Sequence, residues 1–175
     1  MTDRALYVIV CAAPPAREVQ TLVDLAQRAG WDVCVIATPA ATRFIDAPAL
    51  EASTRHAVRS DYKRLGEPDV LPPPDAIIVA PATFNTINKW AAGISDTLAL
   101  GLLTEAIGTG LAVVAMPFLN EAQAQHPAFE LSVERLRQCG VAVLYGGDMP
   151  PPHPPGAGKH RASSFPWNMA LAAVD

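Results

Sequence analysis

A cluster of small polar side chains lies near the middle of the chain, directly after a short apolar segment. Four of them carry hydroxyl or amide groups: Thr83, Asn85, Thr86 and Asn88. Such groups can donate hydrogen bonds to a flat polar heterocycle and accept them from it. A helix N-cap at Asn85 or Thr86 would explain one of the four, but does not easily explain all of them. The segment 81–90 therefore has two interpretations, a ligand site and a helix start.

The elements around this segment decide where it lies in the fold. Residues 75–80 form a short apolar run rich in β-branched side chains, which is typical of a strand buried on both faces. Apolar residues then recur at helical spacing, which predicts one helix continuing to about Ala106. The polar segment is thus the turn at the carboxyl end of a parallel strand, where open α/β sheets bind their ligands.

The remainder of the chain repeats this strand-then-helix order. The predicted strands cover residues 6–11, 31–37, 75–80, 111–116 and 141–145, and a short helix is expected near 49–58. Successive βα units imply a parallel sheet with right-handed crossovers. We therefore predict a single α/β domain over residues 1–175, with a flavodoxin-like or Rossmann-like doubly wound parallel sheet in three α/β/α layers.

Three connecting segments have unusual compositions. The turn after the first strand contains Pro14 and Pro15, which lack N–H groups, and no glycine, so a dinucleotide cofactor is not expected there. After the second strand, Thr38 is expected to cap a helix that begins at Pro39. Residues 146–166 are rich in glycine and proline, which predicts a mobile loop or lid that adds nothing to the core.

The overall composition limits the classes of partner. Hydrophobic residues make up 50% of the chain and charged residues 17%, which fits a large core or a buried oligomer interface. The formal net charge is −4 and the isoelectric point is about 5.5, so nucleic acid and anionic membrane surfaces are not expected partners. No apolar stretch is long enough to cross a bilayer.

The cysteines and histidines do not form a metal-binding pattern. Cys11, Cys34 and Cys139 are far apart and odd in number, which is typical of reduced thiols in a cytoplasmic protein. His126, His153 and His160 are not spaced as metal ligands and are interpreted as loop residues. We therefore predict no metal site.

Two motifs at a fixed separation resemble one known family. Pro81-Ala82-Thr83-Phe84-Asn85-Thr86 resembles the "PASANT" motif of the homo-oligomeric flavin-containing cysteine decarboxylases, and residues 87–98 continue that likeness. Residues 117–120 are similar to the start of the family's second motif, "PxMNxxMW", and residues 38–45 are similar to its segment after strand two. The family includes phosphopantothenoylcysteine decarboxylase and the lantibiotic peptidyl-cysteine decarboxylases.

This resemblance implies a cofactor, an assembly and a reaction. The cofactor is FMN, bound at a subunit interface of a homotrimer, and the reaction is the oxidative decarboxylation of a small-molecule or peptide thiol that ends in cysteine. Thr38 is expected at the FMN phosphate, Asp96 at the far side of the site, Asn120 at the substrate carboxylate and residues 156–161 in a flexible substrate clamp. The expected flavin-pocket residues are Pro81, Ala82, Thr83, Phe84, Asn85 and Thr86.

Departures from the family's motifs keep other functions open. Counting back from Pro81 places Glu67 where the family has an essential histidine, and the candidate catalytic residues are therefore Glu67, Asn120 and, in the charged segment upstream, His56. The second motif's Met and Trp positions hold Gln123 and Ala124, and the clamp lacks a cysteine. The alternatives are a divergent FMN-binding protein with another reaction or a non-catalytic partner role, and a binding module without flavin.

Overall fold

The computed structural model describes residues 4–68 and 70–174, which form one five-stranded sheet flanked by helices. The strands are β1 Arg4–Val10, β2 Trp31–Ala37, β3 Ala76–Ala82, β4 Ala112–Pro117 and β5 Ala142–Val143. Every pair of neighbours is parallel, in the order β2-β1-β3-β4-β5. The predicted doubly wound α/β fold is confirmed, with the flavodoxin-like strand order.

Eight α-helices connect and cover these strands. They are α1 Gln20–Arg28, α2 Ala47–Thr54, α3 Phe84–Ala91, α4 Leu98–Thr109, α5 Glu121–Ala124, α6 Pro127–Gln138, α7 Gly158–Arg161 and α8 Trp167–Ala172. Short 3-10 turns cover Pro14–Glu18, Ala41–Arg43 and Ala162–Ser164. No helix within the described residues is both long and apolar enough to cross a membrane.

The sheet has an apolar core on each of its faces. Alternate side chains of β1 point to opposite sides, so Val8 packs with α1 and α8 while Ile9 packs with α3, α4 and α6. The central strands are therefore buried throughout, as their continuous apolar sequences predict. Polar groups can then gather only where the strands end.

The prediction of one continuous helix from the polar segment to Ala106 is wrong. The structure has two helices there, α3 and α4, separated by residues 92–97. Gly93 adopts φ +75°, a left-handed conformation that glycine tolerates best, and Thr97 caps the start of α4. Ile94 fits the helical spacing but is 43% exposed, so the periodicity continued by chance across a real break.

Two expected helix caps are also wrong. Thr83 caps α3, accepting a hydrogen bond from the Thr86 N–H at 3.4 Å, so neither Asn85 nor Thr86 is the cap. After β2 the chain makes a 3-10 turn at Ala41–Arg43, and Thr38 caps no helix. Asp46 instead caps the next helix, α2, accepting from the Ala49 N–H.

The glycine- and proline-rich segment contributes to the core, contrary to the sequence prediction. Ala162 and Phe165 are buried, and Phe165 belongs to the same core cluster as Trp167 and the β1 residue Leu6. A single β-bridge joins His153 to Asn120, and the Glu121 N–H donates to the His153 carbonyl at 2.9 Å. Residues 146–166 therefore pack across the carboxyl end of the sheet.

Candidate functional site

A cavity of about 570 Å³ opens at the carboxyl ends of β1 and β3. The chain runs from β1 outward to β2 and returns on the other side of β1 as β3, so this is the point where strand order reverses. Open α/β sheets bind ligands at such a point, and the volume lies in the range of small-molecule sites. The lining residues are Ala12, Ala13, Pro14, Thr38, Pro39, Ala40, Thr83, Phe84, Asn85, Thr86, Lys89, Thr97, Leu100, Phe118, Leu119, Gln123, His153 and Gly158.

Helix α3 begins at this cavity and presents the predicted polar segment to it. Thr83, Phe84, Asn85 and Thr86 all line the space, whereas Pro81 and Ala82 are buried in the end of β3. Asn85 is exposed, and its side-chain amide has no recorded hydrogen bond within the described structure. The first N–H groups of a helix lack intrahelical partners, so this end offers donors to an acceptor-rich ligand.

A short chain of hydrogen bonds lies beneath these groups. The Cys11 thiol donates to the Thr86 hydroxyl oxygen at 3.3 Å, and the Thr83 and Thr86 hydroxyl oxygens are 3.2 Å apart. Burial raises the pKa of the Cys11 thiol, although hydrogen bonds from Thr86 and Thr83 oppose that rise. The thiol therefore stays protonated and acts as a donor that fixes the Thr86 side chain.

A second helix terminus faces the same cavity. Thr97 caps α4 through the Leu100 N–H at 3.2 Å, and both residues line the space. Lys89 lines it as well, and its ammonium group contacts the Asp96 carboxylate at 2.5 Å. Two helix N-termini and one cation together favour an anionic group here. Asp96 does not line the cavity and reaches it through Lys89.

The loops after β1 and β2 form the opposite wall. Thr38 lines the cavity, and its N–H donates to the Val10 carbonyl at 2.9 Å, which ties the two strand ends together. In the β1 loop the Ala13 N–H donates to the Cys11 carbonyl, and Pro14 has no N–H. This loop therefore offers few backbone donors to a phosphate, as its sequence predicts.

Asn120 does not itself line the cavity, but it directly follows Leu119, which does. Its side-chain oxygen accepts from the Gln123 N–H at 2.9 Å, and the Gln123 side-chain oxygen accepts from the Asn120 N–H at 3.3 Å. This reciprocal capping box holds the short helix α5. The Asn120 oxygen is thus engaged, while its amide N–H groups have no recorded partner among the described residues.

The other two predicted catalytic residues lie elsewhere in this chain. The His56 ring nitrogen Nε2 is 2.7 Å from the Asp32 carboxylate, near the amino end of β2. This is the opposite end of the strands from the cavity. The exposed Glu67 accepts a hydrogen bond from the Arg64 N–H at 2.9 Å and does not line the cavity. A single chain does not bring either residue to the site.

Some lining residues were missed by sequence reasoning. Phe118 comes from the second motif and His153 from the glycine- and proline-rich segment, whereas Gly158, which also lines the cavity, lies in the segment that the resemblance places in the substrate clamp. A Cβ at Gly158 would lie 3.2 Å from the His153 ring and 3.4 Å from Pro14, so this glycine permits close packing over the site. No grouping of His, Cys, Asp and Glu in the described parts of the chain could hold a metal ion.

Comparison with known proteins supports the family assignment. The chain is 36% identical over 150 residues to the coenzyme A biosynthesis bifunctional protein CoaBC of Bacillus subtilis, covering 82% of this chain and 36% of that protein. The chain thus spans about a third of that relative's length. It also matches the solved structure of peptidyl-cysteine decarboxylase EpiD at 25% identity and TM-score 0.63, covering 83% and 88% of the two chains.

A further solved structure shares the fold over nearly the whole of this chain. The FMN-dependent cysteine decarboxylase SpaF matches with TM-score 0.70 and 21% identity, covering 97% of this chain and 98% of that one. The sequence resemblance to flavin-containing cysteine decarboxylases is therefore confirmed. Because the family model for flavoproteins matches residues 2–161, the chain belongs to the flavoprotein family.

Proposed function

We propose that the chain binds FMN in the cavity at the ends of β1 and β3 and oxidatively decarboxylates a cysteine-type thiol. The observation that carries the proposal is the donor set of this cavity. Asn85 and the start of α3 suit the hydrogen-bonding edge of a flavin ring, while Thr38, Thr97 and Lys89 suit its phosphate. The similar proteins EpiD and SpaF, described as cysteine decarboxylases, support the same reaction.

The protein's own groups would position the substrate. Asn120 has amide N–H groups available for a carboxylate, and Phe118 gives an apolar surface beside it. When bound, the flavin would supply the two-electron oxidation of the thiol-bearing carbon, with dioxygen as the final oxidant. Asn120 then holds the carboxylate that leaves as carbon dioxide, and the walls of the cavity keep water away.

The direct test uses the purified protein with acetylated tripeptides that end in cysteine, beside small thiol acids such as N-acetylcysteine. We expect a mass loss of about 46 Da, equal to one carbon dioxide and two hydrogens. Variant Asn85→Ala should purify with less flavin, and Asn168→Ala, an exposed amide on α8, should not. An Asn85→Ala protein with the full yellow chromophore would contradict the assignment of the cavity.

A divergent flavoprotein role is the second candidate function. The position of Glu67 outside the cavity favours it, because the expected upstream base does not reach this site within one chain. Under this alternative the purified protein shows the visible absorbance of oxidised flavin but releases no carbon dioxide from any thiol acid. A colourless protein that takes up no added FMN would instead support a module without flavin.

We also propose that the protein is a cytoplasmic homotrimer in which this cavity lies at a subunit interface. Tyr62 and Leu65 are 55% and 107% exposed in the same segment as Glu67, and exposed apolar side chains support burial by another copy. Variant Leu65→Glu should lower the mass of the assembly measured by light scattering. Leu131→Glu, a change at an exposed side chain of α6, should not. An unchanged mass for Leu65→Glu would contradict this surface.

A further inference from the structure

His153 places an imidazole in the candidate site. Of the four histidines, all of which the structure describes, His153 alone lines the main cavity. Its ring lies 4.9 Å from the Phe118 ring centroid, and it also borders an adjoining space of about 50 Å³. Its backbone is bridged to that of Asn120, the residue proposed to bind the substrate carboxylate.

The surroundings of the ring determine which nitrogen carries the proton. His153 Nδ1 lies 2.9 Å from the Pro154 carbonyl oxygen, which can only accept a hydrogen bond. Nδ1 therefore carries hydrogen, and in the neutral ring Nε2 holds the free lone pair. No hydrogen bond to Nε2 is recorded within residues 4–68 and 70–174. This nitrogen is available to a ligand.

The proposed substrate needs a group of this kind. A thiol is mostly protonated at neutral pH, and its sulfur donates electrons well only as the thiolate. Imidazole is the side-chain type that exchanges protons near neutral pH. The other ionisable groups that line the two spaces are Lys89, already paired with Asp96, and Arg161 and Tyr145 in the adjoining one. The Arg161 cation favours a thiolate in the adjoining space.

We infer that His153 is a catalytic residue that accepts the substrate's thiol proton. This inference rests on the proposed function. The S–H bond breaks, its electron pair stays on sulfur, and a new N–H bond at Nε2 gives the imidazolium. After carbon dioxide leaves, the imidazolium returns this proton to the ene-thiolate sulfur. The site thus supplies its own base from the segment that packs across it, independently of Glu67.

The test compares His153→Gln with His126→Gln, a matched change at an exposed histidine that does not line the cavity. His153→Gln should lower the rate of decarboxylation of a cysteine-terminated tripeptide by about 100- to 1,000-fold. Its flavin absorbance should match that of the unaltered protein. With the flavin reduced beforehand under anaerobic conditions, so that the thiol is not oxidised, the ultraviolet absorbance of the bound thiolate should appear with the unaltered protein and His126→Gln but not with His153→Gln.

A measurement without substrate keeps the inference separate from the proposed reaction. Nitrogen-15 NMR of histidine-labelled protein should show neutral His153 protonated at Nδ1, with the signal assigned through its loss in His153→Gln. Hydrogen on Nε2, or a bound thiolate that persists in His153→Gln, would overturn the role of His153. Absence of carbon dioxide release by the unaltered protein would overturn only the proposed reaction, because the thiolate spectrum still decides whether His153 takes the proton.

Discussion

Two histidines, one at each end of the sheet, have opposite settings. At the amino end His56 is paired with the Asp32 carboxylate, while at the carboxyl end His153 borders a cavity with its Nε2 unengaged. His56 is closer in sequence to the polar segment, yet the sheet separates the two. Strand direction, rather than distance along the chain, decides which side chains can share a site.

The largest expected effect is a loss of folding stability from core substitutions, one on each face of the sheet. Phe129 is fully buried and stacks 6.2 Å from Phe84, which lines the cavity, whereas fully buried Leu22 packs on the other face. Either change to alanine should reduce the free energy of unfolding by about 3–5 kcal/mol. Below both melting temperatures, titration with FMN should show weakened binding in Phe129→Ala only. Equal weakening in Leu22→Ala would mean that the cavity responds to global stability alone.

The next effect compares two helix caps. Thr83→Ala removes the cap of α3 and the partner of the Thr86 hydroxyl, and Asp46→Ala removes the cap of α2. Each should lower stability by about 1 kcal/mol in chemical denaturation. Only Thr83→Ala should also weaken FMN binding, by about tenfold for one lost hydrogen bond. Unchanged FMN affinity in Thr83→Ala would show that the Thr83 hydroxyl caps α3 without contributing to FMN binding.

Alkaline stability tests Cys34, which lies halfway along β2, an edge strand of the sheet. Burial, and after it the Asp32 charge, raises the pKa of Cys34 from an ordinary 9.0 to about 12. Above pH 9 the unfolded chain loses this proton while the folded chain keeps it, so stability should fall as the pH rises from 9 towards 12. Thermal melts across that range should fall less steeply in Cys34→Ala. An identical slope would assign the alkaline loss to other groups.

The smallest effect on stability is expected from the ion pair at the amino end of the sheet's strands. The side chains of His56 and Asp32 are 21% and 34% exposed, so solvent screens their attraction. His56→Gln should cost at most about 1 kcal/mol in denaturant titrations and should leave the flavin content unchanged. A loss of flavin from this variant would show that His56 reaches a site in another copy of the chain.

The sequence predicted the sheet well because its strands are buried on both faces. Apolar, β-branched runs such as residues 76–82 and 31–37 have few alternatives to a strand that is covered on both faces. The break between α3 and α4 was missed because Ile94 kept the apolar period while Gly93 and the Thr97 cap ended the helix. Periodicity reports which faces are apolar, and caps decide where a helix stops.

The candidate site was predictable where it follows one strand and unpredictable where it is assembled from distant segments. Thr83–Thr86 and Thr38 directly follow strand ends, so sheet direction alone brings them together. His153 reaches the cavity through a bridge to Asn120, which no sequence pattern indicated, whereas Gly158 lies in the segment that the resemblance assigned to the clamp. Glycine and proline content indicates a loop, but contains no information about the surface on which that loop packs.

The attachment of His153 to residues 119–121 has a kinetic consequence. Its backbone is held there by hydrogen bonds of 3.4 Å to Leu119 and 2.9 Å to Glu121, few enough to open without unfolding the sheet. A ligand in the cavity would therefore exchange at the rate of this local opening rather than of global unfolding. Dwell time and affinity become separable properties, and Gly158→Ala, whose Cβ would lie 3.2 Å from the His153 ring, should shorten the dwell time by loosening this packing.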